Sequence, residues 1–197
     1  MSHEPDVRER ILAVATRLFA DQGYGSTSVR QVAEAVGVTK PALYYYFKSK
    51  EELFEQIICS HLGRVSAILD EALGGGGTLR EQLQRLLDGV AAEAADQPDL
   101  VRFLLLSHHR PDQSQPRMDV MLVHMSRVGV LQQTFEVARA RGELRGDLPL
   151  DALVMTFVGM MNHHLMSRVR THHPSLSAAV LLDIFFHGAA APSKVSR

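Results

Sequence analysis

Between Thr27 and Lys50 the chain spells out its local fold almost residue by residue, and no other stretch restricts the architecture so tightly. Thr27 or Ser28 can cap a helix, and Gln31 follows Ser28 by three, the spacing of a capping box. Val29, Val32, Ala33 and Val36 recur at helical spacing and form a small apolar face. Gly37 suits the left-handed backbone that ends a helix. Thr39 can cap the next helix, and Pro41 falls in its first turn, where a missing N–H removes no intrahelical bond. This second helix is predicted over about 40–47. Leu43 and Phe47 lie four apart and face the core, so Lys40, Ala42, Tyr44, Tyr45 and Tyr46 share the other faces. Ser49 and Glu52 form a further capping box that opens the following helix. Two short helices joined by a tight turn, the second carrying Lys and Tyr, have the shape of a helix-turn-helix reading head for the DNA major groove.

Charge points the same way. From Tyr24 to Lys50 there are four basic residues (Arg30, Lys40, Lys48, Lys50) against one acid (Glu34), net +3. Residues 51–197 hold 14 basic and 17 acidic residues, net −3. A near-neutral chain with one positive segment fits a protein that touches phosphates at one end only. The plainer alternative is that Lys48 and Lys50 are solvated loop lysines and the three tyrosines pack internally.

The segment resembles the N-terminal domain of TetR-family transcriptional regulators. The resemblance rests on Phe19 and Gly23, Thr27, Val32-Ala33, Gly37-Val38-Thr39, Leu43 to Phe47, Lys50 and Leu53-Phe54, and covers about residues 8–58. Beyond that, the chain is similar to the family in length and helical character. Tyr46 departs from the pattern, since many members carry His there; a tyrosine hydroxyl can still donate to phosphate. The resemblance implies a homodimeric repressor with its N-terminal heads on a palindromic double-stranded operator and a C-terminal domain that binds an inducer. Carried onto this sequence, it places Thr27, Arg30, Lys40, Pro41, Ala42, Tyr44, Tyr45, Tyr46 and Lys50 at DNA. Lys40 would reach a base edge or phosphate, Ala42 a thymine methyl and Tyr45 the backbone, with Thr27, Arg30, Tyr44, Tyr46 and Lys50 holding phosphates.

Beyond the head, the patterning is helical throughout and no strand pair is credible. A first helix is predicted over about 6–22, with Val7, Ile11, Val14, Ala15 and Leu18 on one stripe. A fourth runs from Lys50 to about Leu73. Gly74–Gly77 reads as a flexible break. Further helices are expected over about 78–95, 98–109, 118–141, 150–170 and 175–189, with a loop at 110–117 and a break at His172-His173-Pro174. The fold expected is all-α: a three-helix N-terminal domain with the helix-turn-helix (1–50), then a helical effector-binding and dimerisation domain (51–197). The last two helices carry little charge in their middles, so each must be buried on two sides; a twin subunit would cover the second. That reading puts Val180 and Phe185 in the interface.

Cys59 is the sole cysteine, which removes any intrachain disulfide or C-x-x-C site and suits a reducing cytoplasm. The N-terminus lacks a basic apolar leader. The apolar run Ala152–Met161 is well short of the ~20 residues a membrane span needs. Ten histidines invite a metal reading, but adjacent histidines on a helix point about 100° apart and no H-x-x-x-H spacing occurs, so neither metal nor cofactor is expected. No phosphate-cradling loop, G-x-S-x-G elbow or paired carboxylates support an enzyme. Seven of the eight methionines follow Pro111. Flexible thioethers fill cores and also line adaptable apolar pockets. The expected effector site collects Phe103, Met121, His124, Met125, Phe157, Met161, Asn162 and His163, for a mostly apolar or aromatic molecule with one or two polar groups. The rival functions are a helical enzyme and a DNA-binding activator or architectural protein without an inducer.

Overall fold

The computed structural model describes residues 6–109, 116, 120–169 and 176–189; the side chains of 105–109, 120–127, 166–169 and 189 fall outside that description. Among the described residues every regular element is a helix: α1 (Val7–Gln22), α2 (Val29–Val36), α3 (Lys40–Tyr46), α4 (Lys50–Gly74), α5 (Leu79–Asp96), α6 (Pro98–His109), α7 (Val120–Ala140), α8 (Leu150–Val169) and α9 (Ala178–Ala189). The predicted helices are all present, most of them within two residues of the predicted ends. The expected loop at 110–117 and break at 172–174 fall largely outside the described residues, and α9 starts three residues later than expected. By packing, the chain forms two compact units: Met1–Gly63 with Gln97–Met118, and Arg64–Asp96 with Asp119–Arg197.

The first unit is built on apolar faces that the sequence spaces at helical intervals. Ile11, Ala15 and Phe19 of α1 are buried with Val32 and Ala33 of α2, Leu43 of α3, and Leu53, Phe54, Ile57 and Ile58 of α4. α6 also belongs here and packs along α1. Its Leu100 and Phe103 complete the core. The Phe103 ring lies 5.6 Å from that of Phe19 and meets that of Phe54 edge-on at 5.7 Å. Such pairs add roughly 0.5–1.5 kcal/mol beyond the area they bury.

The second unit has α5 against α7, α8 and α9, and α8 against α7 and α9. Phe135, Phe157 and Phe185 form its centre, with ring centroids 5.9–6.1 Å apart. Phe185 therefore faces the unit's own core at 5% exposure, and the sequence reading that set it in a dimer interface is corrected. On α9 the periodicity splits the apolar residues. Leu181, Leu182 and Phe185 turn inward, and Val180 (42% exposed) and Ile184 (58%) turn out. α8 does the same, with Leu153, Val154, Phe157 and Val158 inside and Ala152, Met155, Thr156 and Gly159 outside.

The glycine run after α4 is tied down by its neighbours. The Arg85 guanidinium donates to Ala72 O (3.1 Å) and Gly76 O (2.6 Å), and the Gln82 amide to Leu73 O (3.0 Å). The Thr78 N–H donates to Glu81 Oε2 (2.9 Å) and Thr78 Oγ1 accepts from the Glu81 N–H (3.3 Å), which makes a capping box at the start of α5. The bonds to Ala72 O and Leu73 O satisfy two of the last four carbonyls of α4, which have no intrahelical partner. Gly77 sits at φ +90°, and a Cβ there would clash with Glu81 Oε2 at 2.5 Å.

Candidate nucleic-acid interface

The turn between α2 and α3 is held by the chemistry its sequence announces. Ser28 Oγ accepts from the Gln31 N–H (3.2 Å), and Gln31 Oε1 accepts from the Ser28 N–H (2.7 Å). Such a cap is worth about 1 kcal/mol. Gly37 adopts φ 80°, ψ 32°, and the N–H groups of Gly37 and Val38 both reach Ala33 O at 3.0 Å. Thr39 Oγ1 accepts from the Ala42 N–H (3.3 Å) and starts α3. From α1, the Arg10 guanidinium donates to Val36 O (2.8 Å), which places a cation on the carbonyl end of α2. Sequence reading passed over Arg10, because its partner is 26 residues away.

Once Leu43 and Phe47 are inside (0% and 1% exposed), the geometry of one short helix fixes what faces out. Lys40 and Pro41 are exposed on the first turn, and Tyr44 and Tyr45 follow at 40% and 85%. Lys40 Nζ lies 5.7 Å from the Tyr44 ring centroid. Tyr46 is half-buried against the core and meets Tyr45 edge-on at 5.2 Å. Ala42 is half-buried. Arg30, exposed on α2, pairs with Glu34 at 2.7 Å, and that hydrogen bond raises its already high pKa. Lys48, absent from the expected contact set, is exposed just past α3. The face thus offers cations, phenolic hydroxyls and flat aromatic surface on one rigid helix. That suits phosphates and base edges, whereas an ordinary water-facing helix would carry few aromatics.

Two residues expected at phosphate are placed otherwise. Thr27 is 1% exposed, and its hydroxyl is directed to Gly23 O (2.8 Å) and Leu18 O (3.3 Å) at the end of α1. Its single hydroxyl proton is used within the protein. Lys50 is half-buried; its Nζ donates to Tyr24 O (2.9 Å) and Thr27 O (3.0 Å) and lies 4.0 Å from the Tyr24 ring centroid. Both side chains hold the loop that precedes α2. The Tyr24 hydroxyl donates to Glu51 Oε1 (3.1 Å). Glu51, in the first turn of α4, has its pKa lowered from the usual value, first by its backbone hydrogen bond and next by the Ser49 hydroxyl.

Among the described residues, the expected effector side chains are divided between the two units. Phe103 is in the core of the first unit and Phe157 in that of the second. Met161 is half-buried against the second core, and Asn162 and His163 are exposed. The side chains of Met121, His124 and Met125 lie outside the described residues. No described helix is long and apolar enough to cross a membrane.

Residues 11–57 match the family model of bacterial regulatory proteins, tetR family. The chain is 24% identical to the uncharacterized HTH-type transcriptional regulator YdgC of Bacillus subtilis over 187 residues, 92% of this chain and 91% of that one. It is 38% identical to the HTH-type transcriptional regulator AcrR of Shigella flexneri over 93 residues, 45% of this chain and 43% of that one. Among solved structures, the ketosteroid transcriptional regulator KstR2 of Mycobacterium tuberculosis superposes with a TM-score of 0.78 at 22% identity, covering 95% of this chain and 97% of that one. FadR of Bacillus subtilis, solved with stearoyl-CoA, gives 0.74 at 18% identity over 91% and 97%.

Proposed function

We propose that the chain, which matches the tetR family model over residues 11–57, is a cytoplasmic, homodimeric repressor released from a palindromic operator by a small apolar effector. The observation that carries the DNA part is the outward face of α3, where Lys40, Pro41, Tyr44 and Tyr45 stand exposed over a buried Leu43 and Phe47. Arg30, Ala42, Tyr46 and Lys48 flank it. Thr27 and Lys50 act one step back by fixing the loop that sets the angle of α2.

Dimerisation is supported by the outer faces of α8 and α9. Met155 (55% exposed), Val180 and Ile184 project there beside Ala152 and Gly159, small residues that let a second helix pair approach. Asn162 and His163, earlier counted with the effector, lie on the same exposed side of α8 and belong with this surface.

For the effector, Phe157 and Met161 remain on α8, with Met121, His124 and Met125 on α7. Two neighbours of the same fold are described with a ketosteroid in one name and stearoyl-CoA in one structure, which supports a hydrophobic ligand. Release follows if the effector favours a spacing of the two heads that no longer matches successive major grooves. The cost is a shared coupling free energy, typically ~1–3 kcal/mol. α4 is the covalent route, since one continuous helix runs from Lys50 in the first unit to Gly74 in the second.

The test is selection of bound duplexes from a random-sequence pool with the full chain. Enrichment of two half-sites related by a dyad, lost in Lys40→Ala and Tyr45→Ala, is the expected result. A pool that stays unenriched, or that those variants enrich equally, refutes the reading.

A further inference from the structure

A cavity of about 230 Å³ opens in the second unit, where the end of α4, the start of α5 and the last turns of α7 converge. Its floor is apolar, made by Leu73, Leu79 and Ala138, with Val137 as a half-exposed wall. Most of its polar groups are already engaged. The Gln82 amide donates to Leu73 O (3.0 Å), the Thr134 hydroxyl to Val130 O (3.0 Å), and Glu143 Oε2 accepts from the Leu79 N–H (2.5 Å). That last bond also directs the Glu143 charge at the positive N-terminal end of α5, which offsets it.

Two donors on α7 are left over. Arg141 lines the cavity, and no carboxylate among the described residues is within ion-pair reach of it. Gln133, two turns earlier on the same face, carries a second donor. An apolar floor beneath an uncompensated guanidinium and an amide matches one ligand chemistry.

We propose that this cavity binds a small apolar carboxylic acid. The hydrocarbon part rests on Leu73, Leu79 and Val137. The carboxylate takes paired hydrogen bonds from Arg141, whose planar fork matches its two oxygens, and one from Gln133. The volume is below the ~300–1,000 Å³ of drug-sized pockets, so the acid carries a single ring or a short branched chain. The site is separate from the α7–α8 effector region and stands whether or not that region binds a ligand. An occupant here bridges Leu73 at the last turn of α4 to Val137 of α7.

The experiment titrates benzoate into the full chain, read by calorimetry and by amide shifts. Saturable binding is expected, with the largest shifts around Leu73, Val137 and Arg141. Benzamide, which lacks the charge, and acetate, which lacks the ring, should each bind at least about tenfold more weakly. Arg141→Gln should weaken benzoate by a similar factor, and Arg141→Lys by less. Arg141 is at the surface, so the melting temperatures of both variants should match the parent. The proposal fails if benzoate does not saturate at millimolar concentration, if acetate or benzamide equals it, if Arg141→Gln binds it as the parent does, or if the shifts map elsewhere.

Discussion

Lys50 Nζ sits over the ring of Tyr24 and donates to the carbonyl of that same residue, so one ammonium binds both the face and the backbone of a single tyrosine. With the bond to Thr27 O, it fixes both ends of the loop from Tyr24 to Thr27. The cation that the family resemblance places at phosphate pins the loop of the reading head here. A half-buried cation on a ring and two carbonyls is worth on the order of 1–3 kcal/mol.

Lys50→Met should therefore destabilise the chain by roughly 1–2 kcal/mol, seen as a lower denaturant midpoint at unchanged slope. A midpoint equal to that of the parent would return Lys50 to the solvent.

Salt titrations separate the two lysines. Lys40→Ala should reduce the slope of log K against log[salt] by about one, as loss of one phosphate contact does. Lys50→Met should weaken DNA binding with the slope nearly intact. Equal slope changes would mean that Lys50 leaves its carbonyls when DNA is bound.

On α9, adjacent positions should answer differently. Ile184→Glu places a charge on the outward face and should shift sedimentation from dimer to monomer, with the fold retained. Phe185→Ala removes a ring from the Phe135–Phe157–Phe185 cluster and should cost about 3–5 kcal/mol of stability. A dimer that persists in Ile184→Glu would place the interface elsewhere.

Glu51 gives the head a defined acid response. Its carboxyl is held below the usual 4.5 in the folded chain, so on acidification the unfolded chain takes up the proton first. The stability it contributes is complete above about pH 4.5 and is lost as the pH falls through the folded value. Glu51→Gln should be less stable than the parent at pH 7, and the gap should close on acidification through that window. A gap that is constant with pH would assign Glu51 no titrating role.

Much of the head is legible in the sequence because its determinants are local. The Ser28–Gln31 box, Gly37 in the left-handed region, the Thr39 cap and Pro41 each act within a few residues, and each is present as read. The helical periods likewise placed Leu43 and Phe47 inward. What the sequence left open is decided by partners far along the chain. The fold brings the end of α1 to Thr27 and the Tyr24 loop to Lys50, 23–26 residues away in the case of Lys50, and the sequence alone does not show those bonds. Phe103 reads as pocket lining, yet α6 lies along α1 and commits that ring to Phe19 and Phe54. Phe185 and Ile184 are equally apolar neighbours on one helix, and only the packing of α9 sends the first to the core and the second to the surface. A sequence specifies which face of a helix is apolar through a period of 3.6 residues; which neighbour covers that face depends on the tertiary contacts that compete for it.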